Sequence, residues 1–146
     1  MKPQLLLALV LLTGCRDSPI EVIEGASIAA ADGDQSNFRS YFSNGTVQRL
    51  RRKWALTGET PEAHWRRLAE GLTFGQRSFA EDGVKFAGEA IHGEYAEVTV
   101  SLGAESRSYY LRKEDGAWRI DLGAGQRYRL AAPSTSPDAG AKKSQE

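Results

Sequence analysis

The side chains in this sequence that could do chemistry are few, and their spacing decides what they could do. Cys15 is the only cysteine, so no intrachain disulfide and no cysteine cluster for a metal can form. His64 and His92 stand far apart, outside any HExxH frame, and make no metal site. Tyr41, Tyr109, Tyr110 and Asp121 are the groups from which a carboxylate base and a set of oxyanion donors would have to be built. Asp121 has the opposite parity to Trp118, Ile120 and Leu122, which predicts a solvent-facing carboxylate. His92 falls in an expected tight turn, a poor frame for proton transfer, and His64 beside Trp65 reads as a surface or packed histidine. No GxSxG elbow, Walker loop or glycine-rich dinucleotide fingerprint occurs. The expectation is a non-catalytic protein with no cofactor.

Cys15 has a setting of its own. Lys2 precedes an unbroken apolar run from Leu5 to Leu12, and Leu12, Thr13 and Gly14 lead directly into the thiol. As a helix the run rises about 12 Å, against a hydrocarbon core of about 30 Å, so it does not span a bilayer. A basic start, an apolar middle and small residues before a cut are the marks of an export leader. This segment resembles a bacterial lipoprotein signal peptide ending in its lipobox. The resemblance implies diacylglycerol on Cys15, cleavage before it, and a membrane held through N-terminal acyl chains. At about 0.8 kcal/mol per buried methylene, two or three such chains anchor stably where one is marginal. Arg16 after Cys15 implies, by likeness to enteric sorting, the periplasmic side of an outer membrane in the cell envelope.

Four segments follow: a leader over residues 1–14, a tether over 15–17, one domain over 18–130, and a tail over 131–146. The tail is small and polar with no apolar period, and is expected to be disordered. The whole chain carries 19 basic and 19 acidic residues. Losing the leader, with Lys2 and no acid, leaves one extra negative charge. That balance argues against a nucleic-acid partner, which calls for a strongly basic domain.

The domain must supply whatever holds these groups. Its first half reads helical. Ser18, Pro19 and Glu21 form a capping box with Pro at the first turn, and the helix stops at Asp32-Gly33-Asp34. A short helix is predicted over 35–42, ended by Ser43-Asn44-Gly45. Another is predicted over 46–56, with Val47, Leu50 and Trp54 on one face. A fourth opens at Thr60-Pro61 and turns Trp65, Leu68 and Leu72 inward. The second half switches to period two, with strands over 84–91, 95–102, 107–113 and 117–122 and an extra one around 74–79. Helices first and a hairpin-linked meander second give an α+β fold, N-terminal helices packed on a curved antiparallel sheet.

Two clusters stand out on these elements. Phe38, Tyr41, Phe42, Trp54, Trp65 and Trp118 are the aromatics that would line a pocket, although aromatics at helical spacing are core by default. Arg49, Arg52 and Lys53 form a basic patch suited to anionic headgroups, unless Glu59, Glu62 and Glu70 neutralise a solvated face.

The Ala-rich helix ending at Ala31-Asp32-Gly33-Asp34, the stretch from Phe38 to Phe42, the strand GEYAEVTV (93–100) and the hairpin YYLRKEDGAWRI (109–120) together resemble the nuclear transport factor two-like superfamily. Within it they are most similar to small bacterial lipoproteins. The resemblance covers about residues 20–122. It implies a cone-shaped, cystatin-like arrangement around an apolar pocket. In that superfamily some members are ketosteroid isomerases or polyketide cyclases, and others bind ligands or dimerise. It also implies a homodimer or an envelope-protein partner at the open sheet face, with Tyr109, Leu111, Glu97 and Thr99 as candidate contacts.

Overall fold

The computed structural model describes residues 18–72 and 83–133. Cys15, its lipobox, the candidate strand at 74–79 and the tail from 134 onward lie outside the described residues.

The chain runs through α1 (Pro19–Ala31), α2 (Gln35–Ser40), α3 (Asn44–Trp54) and α4 (Pro61–Leu72) before its strands. These are β1 (Val84–His92), β2 (Tyr95–Leu102), β3 (Glu105–Glu114) and β4 (Ala117–Ile120), followed by α5 (Ala124–Ala131). The strands form one antiparallel sheet in the order β1-β2-β3-β4, so the fold is α+β with helices laid on an open meander.

Local chemistry accounts for the helix starts. The Ser18 hydroxyl accepts from the Glu21 N–H, and the Glu21 carboxylate accepts from the Ser18 N–H, closing the expected box. Such a cap contributes about 1 kcal/mol. Asp34 caps α2 by accepting from the Asn37 N–H at 3.1 Å, and the Thr60 hydroxyl accepts from the Ala63 N–H in α4.

Two boundaries differ from expectation. α2 ends at Ser40, because Phe42 forms a parallel bridge to Ile120. The Ile120 N–H donates to the Tyr41 carbonyl at 2.8 Å, and the Ser43 N–H donates to the Ile120 carbonyl at 2.9 Å. These bonds draw the backbone out of the helix and onto the edge of β4. Ser43 then caps α3 instead of ending α2, and Asn44 and Gly45 are helical.

The core lies between α1–α4 and the inner sheet face. Ile23, Phe38, Val98, Leu111 and Ile120 are all but fully buried there. From β3, the Tyr109 hydroxyl donates to the Leu72 carbonyl at 2.9 Å, and Arg107 donates to the Gly71 carbonyl at 2.6 Å. They satisfy two of the carbonyls that the last turn of α4 leaves open.

α5 is absent from the sequence reading, and it changes the outer sheet face. Ala124 and Tyr128 are buried, the Tyr128 ring lies 5.5 Å from Tyr110 and 5.2 Å from His92, and the Tyr110 ring occupies the space a Gly125 side chain would need. α5 therefore packs on the face that had been expected to stand open.

Candidate functional site

Four of the six candidate aromatics interlock. Phe38 and Phe42 meet edge-on at 5.1 Å, Phe42 and Trp65 at 5.5 Å, and Trp54 and Trp65 at 5.1 Å. Trp118 is buried in the same core, with Lys113 over its ring, and Tyr41 packs half-buried against it. Edge-to-face pairs at these separations are favourable packing.

Space opens on the outside of this cluster instead. A groove of about 650 Å³ has Phe42, Val47 and Trp65 at its base, between α2, α4 and the β3–β4 turn. It continues into a second volume of about 540 Å³ that reaches Trp54, Arg51 and Glu59, and the two share Arg39, Pro61, Glu62 and Trp65. Some rim charges are already committed. Arg119 donates to the Ser40 carbonyl at 2.8 Å, and Glu114 pairs with Arg112 at 3.2 Å while accepting from the Asn44 N–H. Arg39, Arg51 and Glu62, which bring both signs of charge to the groove, have no ion pair among the described residues.

His64 is buried and stacks flat on Trp54 at 4.8 Å. Its Nε2 lies 2.7 Å from the Thr57 hydroxyl, and its Nδ1 is 3.4 Å from Glu59. The three resemble a hydroxyl–imidazole–carboxylate relay in outline. The Thr57 hydroxyl, however, spends its proton on the Trp54 carbonyl at 2.8 Å, and Glu59 is held by Arg67 at 3.0 Å. In that arrangement Nε2 donates to Thr57, the reverse of what activating a nucleophile requires. The trio closes the α3–α4 turn. The Arg67 guanidinium also holds the Glu59 carboxyl below the usual carboxylate range.

Asp121 overturns its expected exposure. It is 8% exposed, and its Oδ1 accepts from the Gly123 N–H at 2.8 Å and from the Thr46 hydroxyl at 3.4 Å, with Arg49 at 3.6 Å. Leu122, expected inside, is 52% exposed. β4 ends at Ile120, so strand parity no longer governs the two residues that follow.

The candidate sheet-face residues divide. Ala96 pairs with Leu111 and Val98 with Tyr109, so Leu111 and Tyr109 lie on the inner face with the core. Glu97 pairs with Tyr110 and Thr99 with Ser108 on the outer face. Burial, with the Glu97 carboxylate beside them, pushes the Tyr110 and Tyr128 hydroxyls above the ordinary phenol range. Glu97 thus lies against α5, which leaves Thr99 and Ser108, 3.4 Å apart, on the open part of that face.

The basic patch is only partly drawn together. Arg49 and Arg52 border a small concavity near Asp121, whereas Lys53 does not. Glu59 pairs with Arg67 and not with the α3 cations. Arg112 and Arg127 join the concavity, one from an outer-face strand position and one from the helix missing from the sequence reading.

Among the described residues, no group of three His, Cys, Asp or Glu side chains could hold a metal ion, and no helix is long and apolar enough to cross a membrane. The chain matches no protein-family model, no curated protein and no solved structure.

Proposed function

We propose that this protein is a lipid-anchored lipoprotein of the bacterial cell envelope, whose domain is a non-catalytic interaction module of the nuclear transport factor two-like type. The anchor rests on Lys2, the Leu5–Leu12 run and Cys15 after Leu12, Thr13 and Gly14. Cys15 stands three residues before Ser18, so acyl chains on it would hold the domain close to the bilayer. The domain type rests on helices preceding an antiparallel meander and packing on its inner face, with Phe42 bridging to the β4 edge.

The observation that carries the interaction role is the groove. Its aromatic base is solid core, while Arg39, Arg51 and Glu62 line it unpaired among the described residues. An open, two-lobed groove bordered by charges of both signs suits an extended polypeptide segment of an envelope protein better than a buried apolar molecule. The His64 and Asp121 bonds support the non-catalytic part, since both side chains are spent on turns.

A photoreactive side chain at Ser36, on the groove, tests this in cells expressing the full chain. The reading expects one discrete envelope-protein adduct from Ser36, lost when Arg39→Glu is added, and none from the same probe at Glu94 in the β1–β2 turn. Equal yields from both positions, or no adduct at Ser36, would contradict it.

A further inference from the structure

Four guanidinium groups from three different elements converge on a concavity of about 220 Å³: Arg49 and Arg52 from α3, Arg112 from β3 and Arg127 from α5. We propose that this concavity is a binding site for a phosphate monoester or inorganic phosphate dianion, a role separate from the groove and independent of the anchor.

Two of the four cations are positioned before any ligand arrives. Arg49 lies over the backbone of Gly123, where an added Cβ would collide with its guanidinium. It also donates to the Thr46 hydroxyl at 3.3 Å and faces Asp121 at 3.6 Å. Arg112 is held by Glu114 at 3.2 Å. Arg52 and Arg127 are exposed and have no ion pair among the described residues.

The charge count sets the ligand class. Four cations against the two carboxylates Asp121 and Glu114 leave two positive charges, which a dianion matches. Asp121 engages only Arg49 of the four, through the Oδ1 that also accepts from the Gly123 N–H and the Thr46 hydroxyl. Arginine suits this task because its planar fork of donors matches phosphate oxygens in pairs. Gathering four like charges is unfavourable without an anion, so the ligand also relieves their repulsion.

The dianion could come free from solution or as the headgroup of phosphatidic acid, and one experiment separates the two. Full-length protein in neutral detergent is titrated calorimetrically with inorganic phosphate and, separately, with short-chain dihexanoyl phosphatidic acid. Saturable one-to-one binding of either titrant, weakened at least about tenfold by R52Q/R127Q, supports the site. Phosphate as the tighter titrant assigns a soluble source, and phosphatidic acid as the tighter one assigns a lipid source. Gly123→Ala displaces only the end of a flexible side chain, so it should weaken binding while far-ultraviolet dichroism stays unchanged. Lys53→Gln removes a neighbouring charge outside the concavity and should have little effect. No binding of either titrant, or equal losses from R52Q/R127Q and Lys53→Gln, would overturn the proposal, the latter by showing a diffuse basic surface. Because binding is read on the chain itself, neither result depends on the groove or on acylation.

Discussion

Replacing Asp121 with Ala would strip an acceptor from the Gly123 N–H and from the Thr46 hydroxyl, both held at the joint between β4 and α5. Thr46 and Ser43 are fully buried there, and Thr46 also accepts from the Leu122 N–H at 3.2 Å. Leaving such donors unsatisfied costs about 1–3 kcal/mol. Denaturant unfolding of Asp121→Ala should therefore show a loss of about 2 kcal/mol, with a smaller loss for Asp121→Asn, whose amide oxygen can still accept. An unchanged midpoint would mean that the Asp121 bonds do not hold this joint. The position also shows where residue-level reading stops. Asp121 was assigned to solvent by extending the β4 alternation, yet the strand had already ended at Ile120 and the turn into α5 brought the carboxylate inside. The sequence left His64 as either a surface or a packed histidine, and its partners Thr57 and Glu59 come from a turn that no sequence period describes.

At the scale of elements, α5 is held to the sheet by two phenols. Burial raises the Tyr128 and Tyr110 hydroxyls above the usual phenol range, and the nearby Glu97 carboxylate adds to the rise. Burial likewise raises Tyr109 on the inner face, against the opposing influence of Arg107. A group whose folded value is raised holds its proton more tightly when folded. Its stabilising effect is complete below the unfolded value of about 10 and is lost as pH rises through the folded value. Stability measured by denaturant midpoint should therefore be insensitive to these groups near neutrality and fall above about pH 10. The double variant Y110F/Y128F should fall less steeply over the same range. An identical slope would remove the phenols from the account of how α5 docks.

The starts of α1 and α4 were legible because capping chemistry is local: Ser18 with Glu21, and Thr60 with Pro61, sit in the bonds their types require. α5 was not legible because its buried face consists of Ala124 and Tyr128 alone, and Gly123 offers no side-chain cap. The parity of β3 depended on one residue of turn. A loop of Gly103, Ala104 and Glu105 would have sent Tyr109 and Leu111 outward. The observed turn pairs Leu102 with Glu105, and that single step turns both side chains inward. The candidate pocket residues divide between ring packing and the groove, where Phe42, Trp54 and Trp65 take part in the lining. Spacing can show that aromatics share a face, but only packing shows that Phe42, Trp54 and Trp65 interlock and also border the groove.

At the scale of the whole molecule, two concave surfaces stand out among the described residues. One is the groove with Arg39, Arg51 and Glu62, and the other is the arginine concavity beside α5. Sequence periodicity could reveal neither, since each draws residues from three or more elements. The groove reading depends on the proposed anchor for its partner, whereas the concavity is tested without it. The sequence basis for that anchor is the thiol of Cys15 and the three residues before it. The most direct test is intact-mass and N-terminal peptide mass spectrometry on the full chain expressed in a bacterium with a lipoprotein pathway. The account predicts a chain beginning at Cys15, carrying diacylglycerol on its sulfur and partitioning with membranes, and loss of that product in Cys15→Ala. A chain that keeps Met1, or one that is cut elsewhere and leaves Cys15 as a free thiol, would contradict it.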